Sequence, residues 1–282
     1  MNEFVFKQYD LYSTICGGQA FNFDFDRSEN CFWGFTQDKA IVLKPEGELP
    51  GARLRWQTYP DNDNFEFLKK YLRLDVDYQK ILNKIQKDKY IKTAIKQFPN
   101  LRLLKQDFEQ TLLSFILSTN NNIPAIRKLV RALCQRFGKI ININERKIYL
   151  FPKTEVIAEA KLEDLLECKL GFRAKFLKGA AKHLLKTNLS KKILETDENN
   201  ARAALKEIKG VGDKITDCVL VFGLGFDSVT PLDIWAKRAL VNFYKLNPKM
   251  RYEDMRKWMN NYFGDYTSWA GQFLFEYIRN AH

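Results

Sequence analysis

Between Leu205 and Asp233 the chain reads LKEIKGVGDKITDCVLVFGLGFDSVTPLD, two helical runs separated only by Gly210-Val211-Gly212. So short a break forces the helices into a tight hairpin. Two glycines around one apolar residue read as a sharp turn, because φ > 0 is cheap only without a Cβ. Val211 is then expected to point inward and the peptide N–H groups outward. At the start of a helix such N–H groups, with the partial positive charge behind them, accept a phosphate. Lys214 stands directly behind the turn, and Asp233 follows the break at Thr230-Pro231. An amine and a carboxylate so placed are the pair that nucleophilic chemistry on a sugar requires.

Composition agrees with a polyanionic partner. Lys and Arg number 46 against 34 Asp and Glu, a formal charge of +12, although ribosomal and membrane-surface proteins share that balance. With 45% hydrophobic and 14% aromatic residues in 282, the chain can bury one large or two to three small cores and is not disordered. No apolar run reaches the ~18 residues of a membrane span. The start, MNEFVFKQYD, lacks the basic and apolar regions of a secretory signal. An intracellular protein is expected, in the cytoplasm or nucleoid of a prokaryote or the nucleus of a eukaryote. Cys16, Cys31, Cys134, Cys168 and Cys218 are scattered without a C-x-x-C pair, so free thiols are expected rather than disulfides, a zinc site or an iron–sulfur cluster.

From Phe4 to about Tyr59 the pattern is short and β-like: FVFKQYDLY, FNFDFD, CFWGFTQDKAIVLK and ARLRWQTY, with breaks at Gly17-Gly18, Pro45 to Gly47 and Pro50-Gly51. Alternation at Phe21, Phe23 and Phe25 places three rings on one face of a half-buried strand. From Asn64 the period becomes helical, through DVDYQKILNKIQKD to Ile91, Ile95 and Phe98 before Pro99. Asp107 and Gln110 form a capping box ahead of FEQTLLSFILS. A helix from Pro124 closes at Gly138, and Asn142 to Ile148 reads as a hairpin or a loop. Further helices are expected over 161–166, 173–187, 199–208, 214–223, 234–244, 252–263 and 267–279. The expected architecture is α+β: a sheet domain with trailing helices over 1–98, then a helical region over 99–282 with the hairpin at about 199–223.

Each chemistry-bearing residue has an ordinary reading beside the functional one. Lys214 either pairs with a phosphate or serves as a nucleophile for C1′ of a deoxyribose. Its first-turn position opposes the helix dipole, and Ile215, Cys218 and Val219 add desolvation, both favouring the uncharged amine. Asp233 caps a helix, and an ionised carboxylate fixed there also stabilises oxocarbenium-like charge. Gly17-Gly18 is a turn, or a place where a glycine carbonyl reaches a ligand's proton. Asn120-Asn121-Asn122 is a helix-end cap, or a set of amides filling the space of an extruded base. Phe172-Arg173 is core plus surface charge, or a wedge with an arginine reading the orphaned base. Phe275 in WAGQFLF is core, or a platform for a flipped base.

Jointly, GGQAF, FWGF, LKKYLRLDVDY, FPNLRLLKQDFEQTLLSFILSTNNNI, LGFRAKFL, GVGDKITDCVLVFGLG, TPLDIW and AGQFLFEY resemble the 8-oxoguanine DNA glycosylase/lyase family of the helix-hairpin-helix DNA glycosylase superfamily. The likeness runs through most of the chain. It implies a TATA-binding-protein-like N-terminal antiparallel sheet domain, then an all-α glycosylase body with the active site in a cleft. By resemblance, Lys214 is the Schiff-base nucleophile and Asp233 the catalytic carboxylate. Gly18 offers its carbonyl to the N7–H of 8-oxoguanine, and Cys218 and Phe275 sandwich the flipped base. Phe172 is the wedge, with Asn120 and Arg173 facing the orphaned cytosine. Gly210, Val211, Gly212 and Trp235 meet the DNA backbone. The carbonyls of Lys206, Ile208 and Val211 form a monovalent-cation site.

The chain departs from the family pattern in places. Gly271 stands where relatives carry glutamine, with Gln272 one place on as the residue left to read the Watson–Crick edge. Ala125 replaces a second cytosine-reading arginine, with Arg127 nearby, so weaker discrimination of the opposite base is expected. Trp235 replaces a histidine, Lys209 a proline before the hairpin, and Asn22 a common arginine.

The resulting expectation is a bifunctional enzyme that excises 8-oxoguanine from damaged duplex DNA and nicks the strand, with no cofactor and no catalytic metal. It is expected to act as a monomer away from any membrane. The open alternatives are a glycosylase for another damaged base and a non-catalytic protein that binds damaged DNA.

Overall fold

A computed structural model describes residues 2–5, 9–47, 53–61 and 65–280. Five antiparallel strands, β1 (Asn2–Val5), β2 (Phe23–Asp26), β3 (Cys31–Phe35), β4 (Ala40–Glu46) and β5 (Arg53–Tyr59), form one sheet in the order β1-β5-β4-β3-β2. Alternation is clearest in β5, where Leu54, Trp56 and Thr58 are buried between more exposed neighbours. The buried face, with Phe23, Phe32, Ile41, Leu43, Leu54 and Trp56, packs against the Leu11–Cys16 and Phe65–Tyr71 helices.

Three local expectations change. FVFKQYDLY is not all β, because Asp10 accepts the Ser13 N–H at 2.9 Å and caps the Leu11–Cys16 helix; a cap with its first turn outcompetes so short an alternation. Phe21 precedes β2 and leaves the sheet core, packing edge-on to Phe115 at 5.2 Å in the helical core, while Phe23 and Phe25 keep to the sheet. It thereby ties sheet to helices. Asp107 caps its helix through Gln110 N at 2.8 Å, yet the Gln110 amide turns to the Phe35 carbonyl at 3.4 Å, so only half the capping box forms. Pro50-Gly51 and Asn64 lie outside the described residues.

The helical body follows the expected punctuation closely. The stretch before Pro99 is two helices, Tyr78–Ile85 and Lys89–Gln97, each with its own aspartate cap, Asp77 and Asp88. Residues 140–149 form a hairpin of β6 (Ile140–Ile143) and β7 (Arg146–Tyr149). Short helices at Thr154–Glu159 and Leu189–Lys192 have too few turns to show a period and were not foreseen. The Asp213–Val219 helix widens into a π-turn at Leu220–Leu224 and stops at Gly225, φ 85°. Among the described residues no helix is long and apolar enough to cross a membrane.

Candidate active site

The hairpin joins the Glu198–Lys206 and Asp213–Val219 helices. Gly210 has φ 93°, and a Cβ there would lie 2.6 Å from the Phe176 ring, so both conformation and space demand glycine. Gly212 does not repeat this. Its φ is −94°, an extended N-cap any residue adopts, and a Cβ would meet nothing within 4 Å. Nothing within the described residues requires a glycine there. Val211 is buried between the two exposed glycines, as the spacing implied. Of the three carbonyls assigned to a cation, that of Ile208 accepts the Val211 N–H at 3.0 Å, which leaves a second lone pair for an ion.

Behind the hairpin, Lys214 Nζ donates to Ser118 Oγ at 3.1 Å and lies 5.0 Å from the centre of the Phe115 ring. Ser118 passes its own proton to the Phe115 carbonyl at 2.6 Å, so toward the lysine it can only accept. Cys218, one turn on, is almost wholly buried; burial pushes its thiol up to about 12 against the opposing Lys214 charge, leaving a neutral, polarisable surface. Asp233 caps the Ile234–Tyr244 helix, accepting Ala236 N–H at 2.8 Å. Burial raises its pKa above the usual carboxylate range, opposed by that N–H and by Lys214. Both residues open into one cleft of about 1140 Å³, whose walls also include Gly18, Asn120, Cys218 and Phe275.

The Gly17-Gly18 turn reaches this cleft from the sheet side. Gly18 has φ 81°, and a Cβ would stand 2.7 Å from Ile123 Cδ1 and 3.7 Å from Phe275 Cζ. A larger residue would be strained at that φ and would press on Ile123, while the Phe275 ring lies at ordinary contact distance. Gln272 borders the cleft, but its amide nitrogen donates to the Gly17 carbonyl and to Glu276 Oε1, both at 3.3 Å. Its two N–H groups are thus committed to protein rather than to a base edge. A Cβ on Gly271 would fall 2.5 Å from Thr230 Cγ2, so no side chain enters the pocket from that position.

At the rim the three asparagines divide their work. Asn121 donates to the Leu117 carbonyl at 2.9 Å, Asn122 caps the next helix through Ala125 N at 2.9 Å, and Asn120 stands exposed at φ 53°. Phe172 is 51% exposed, an apolar ring in water that suits a wedge. Arg173 is held at the rim by protein: Nε and Nη2 donate to the Thr119 carbonyl at 2.8 and 2.6 Å, under the Phe172 ring at 4.6 Å. It latches the asparagine loop to the wedge. Phe172 also leans on Phe176, the ring that fills the space at Gly210. Trp235 lines the cleft with Arg238 at 4.8 Å over its ring, beside Ile234, which is 61% exposed. Arg127 turns inward to the Ile15 carbonyl at 3.4 Å and does not replace a rim arginine.

A buried chain went unforeseen. Tyr252 accepts the Leu232 N–H at 3.0 Å and donates to Asp217 Oδ2 at 2.6 Å; Asp217, fully buried, pairs with Arg202. One acid inside the apolar run ITDCVLV was the available signal, since a buried carboxylate needs partners.

Comparison with known proteins agrees with this geometry. Residues 4–112 match the model of the 8-oxoguanine DNA glycosylase N-terminal domain, and residues 113–263 that of the HhH-GPD superfamily base excision DNA repair proteins. The N-glycosylase/DNA lyase of Saccharomyces cerevisiae is 29% identical over 264 residues, 84% of this chain and 69% of the relative. A probable N-glycosylase/DNA lyase of Methanothermobacter thermautotrophicus is 24% identical over 302 residues, 97% and 94% of the two chains. The Clostridium acetobutylicum 8-oxoguanine glycosylase/lyase, solved with duplex DNA containing cytosine opposite to 8-oxoG, superposes with a TM-score of 0.88 at 26% identity, covering 100% of this chain and 98% of that one.

Proposed function

The chain belongs to the HhH-GPD superfamily of base excision DNA repair proteins, and on that premise we propose that the Lys214–Asp233 cleft performs its chemistry. The protein is a bifunctional DNA N-glycosylase and lyase for 8-oxoguanine. The hairpin N–H groups and neighbouring lysines hold the phosphates while Phe172 wedges the stack and the damaged nucleotide swings into the cleft. The Cys218 thiol and the Phe275 ring face the two sides of the base, and the Gly18 carbonyl accepts its N7–H. Gln272 braces the turn that carries Gly18.

As the N-glycosidic bond breaks, its electron pair leaves with the base, and ionised Asp233 stabilises the positive charge spreading over C1′ and the ring oxygen. The Lys214 amine forms the new bond to C1′. The attached nitrogen gives one proton to the departed base, and as its lone pair opens the ring the sugar oxygen takes up a proton from water, leaving a protonated imine. Removal of a C2′ proton then expels the 3′ phosphate by β-elimination, and water hydrolyses the imine to free the enzyme. All these groups come from one chain, which supports action as a monomer beside the genome. The observation that carries this reading is the amine and the buried carboxylate opening into a single cleft between a hairpin and an aromatic ring. Borohydride trapping on a duplex containing 8-oxoguanine tests it, with an adduct expected from the wild type and none from Lys214→Gln.

The tight Gly271–Thr230 approach favours one variant reading, a pocket that takes a different damaged base, because no side chain from 271 meets the base edge. Competition among duplexes carrying different lesions separates the two: a second lesion that outcompetes 8-oxoguanine overturns the primary assignment.

A further inference from the structure

We propose that Tyr252, held by the buried Asp217, is a positioning residue that fixes Asp233 at the sugar site; the proposal rests on the reading of Lys214 and Asp233 given above. The Tyr252 hydroxyl joins two elements of the cleft. It accepts the N–H of Leu232, the residue before Asp233, at 3.0 Å and donates to Asp217 Oδ2 at 2.6 Å. That second distance is typical of a hydroxyl bonded to a carboxylate, the stronger and more directional kind. Asp217 sits on the Lys214 helix, three residues further on. One phenol therefore measures the amine-bearing helix against the carboxylate-bearing loop.

The loop before Asp233 has one other buried handle, Thr230 Oγ1 donating to the Thr267 carbonyl at 2.6 Å, but that tie lies two residues upstream of Leu232. Pro231 has no N–H, so the Leu232 N–H is the last backbone donor before the cap. Upstream, Ser228 Oγ donates to Glu198 Oε2 at 2.8 Å, and Glu198 Oε1 and Asp217 share Arg202. Both ends of the 228–232 segment are thus tied to the two hairpin helices, the elements that grip DNA. A rotation at Leu232 swings the Asp233 carboxylate directly. Burying an acid, an arginine and a phenol together costs solvation that an apolar core would not, and the place where the chain ends, one peptide from Asp233, gives that cost a purpose.

The test compares two steps in the full-length protein. In Tyr252→Phe, single-turnover release of 8-oxoguanine from a duplex should slow by about tenfold or more, as for a misplaced catalytic group. Borohydride trapping on a duplex with a preformed abasic site needs Lys214 but no base departure, and should stay within about twofold. In Asp217→Asn, Arg202 draws the amide oxygen, the Tyr252 proton loses its acceptor, and base release should slow in the same selective way. The double variant should be no slower than the slower single one, the mark of residues acting in one chain. Base release at the wild-type rate in Tyr252→Phe overturns the proposal. So does a parallel fall of base release and trapping, which means general loosening, and so do multiplicative effects. Should Tyr252→Phe fail to fold, the same ratio in Asp217→Asn decides. A wild-type protein that neither releases 8-oxoguanine nor is trapped sinks the site reading itself, a different result from these.

Discussion

Lys214 Nζ rests 3.1 Å from Ser118 Oγ, and because the serine proton is already given to the Phe115 carbonyl, the hydroxyl acts as a fixed acceptor for the amine. The contact aims a long, flexible side chain without neutralising it. Ser118→Ala should therefore slow trapping on an abasic duplex by roughly fivefold to thirtyfold, the scale of one lost orienting hydrogen bond of about 1 to 2 kcal/mol. Stopped borohydride time courses measure it; an unchanged trapping rate means the serine does not orient the amine.

Asp233 has its pKa raised, chiefly by burial. A raised carboxylate binds its proton more tightly folded than unfolded, so its stabilising contribution is full below the ordinary carboxylate range and is lost as pH rises through the folded value. At neutral pH the ionised acid is thus a cost. Asn caps a helix as well as Asp. Asp233→Asn should match or exceed the wild type in melting temperature at pH 7 while base release collapses, and the advantage should disappear in acid. The acid limb of the wild-type rate profile should also lie above the ordinary carboxylate range. A variant less stable at pH 7 contradicts this account.

The two hairpin glycines should respond differently. Gly210→Ala meets both the φ of 93° and the Phe176 ring, so it should lose stability in the free protein. Gly212→Ala has space and an ordinary conformation, so its melting temperature should hold while its affinity for duplex DNA falls, the methyl standing where a phosphate approaches. Melting curves and binding isotherms at one fixed salt concentration separate the two; equal effects on both quantities refute the distinction.

Gln272 distinguishes bracing from reading. With both amide protons on Gly17 O and Glu276, Gln272→Ala leaves two buried acceptors short of a donor and should cost about 1 to 3 kcal/mol in denaturant melts. Intact stability with lost selectivity for 8-oxoguanine over guanine would instead make it a reader of the base.

How much of this was legible in the sequence varies with the range of the forces involved. Gly210-Val211-Gly212, the Asp233 cap and the helices around them are local, and they stand where their residues put them. The Lys214–Asp233 pairing came from resemblance as much as from spacing. What stayed hidden was set at a distance. Asp217 meets Tyr252 across 35 positions and Gln272 meets Gly17 across 255, and no local pattern encodes either. Arg173 shows the same limit: its position was foreseen, but the Thr119 carbonyl that captures its guanidinium lies 54 residues away. The Leu11–Cys16 helix is a different case, since its Asp10 cap is local but shares its stretch with alternating aromatics that carry a competing β pattern.

Borohydride trapping on a duplex containing 8-oxoguanine tests the central claim most directly. The wild type should form a covalent protein–DNA adduct and a strand nick, and Lys214→Gln should form neither while still binding the duplex. An adduct and nick of undiminished yield from Lys214→Gln would contradict the account, because the amine at 214 would then not be the group that holds the sugar.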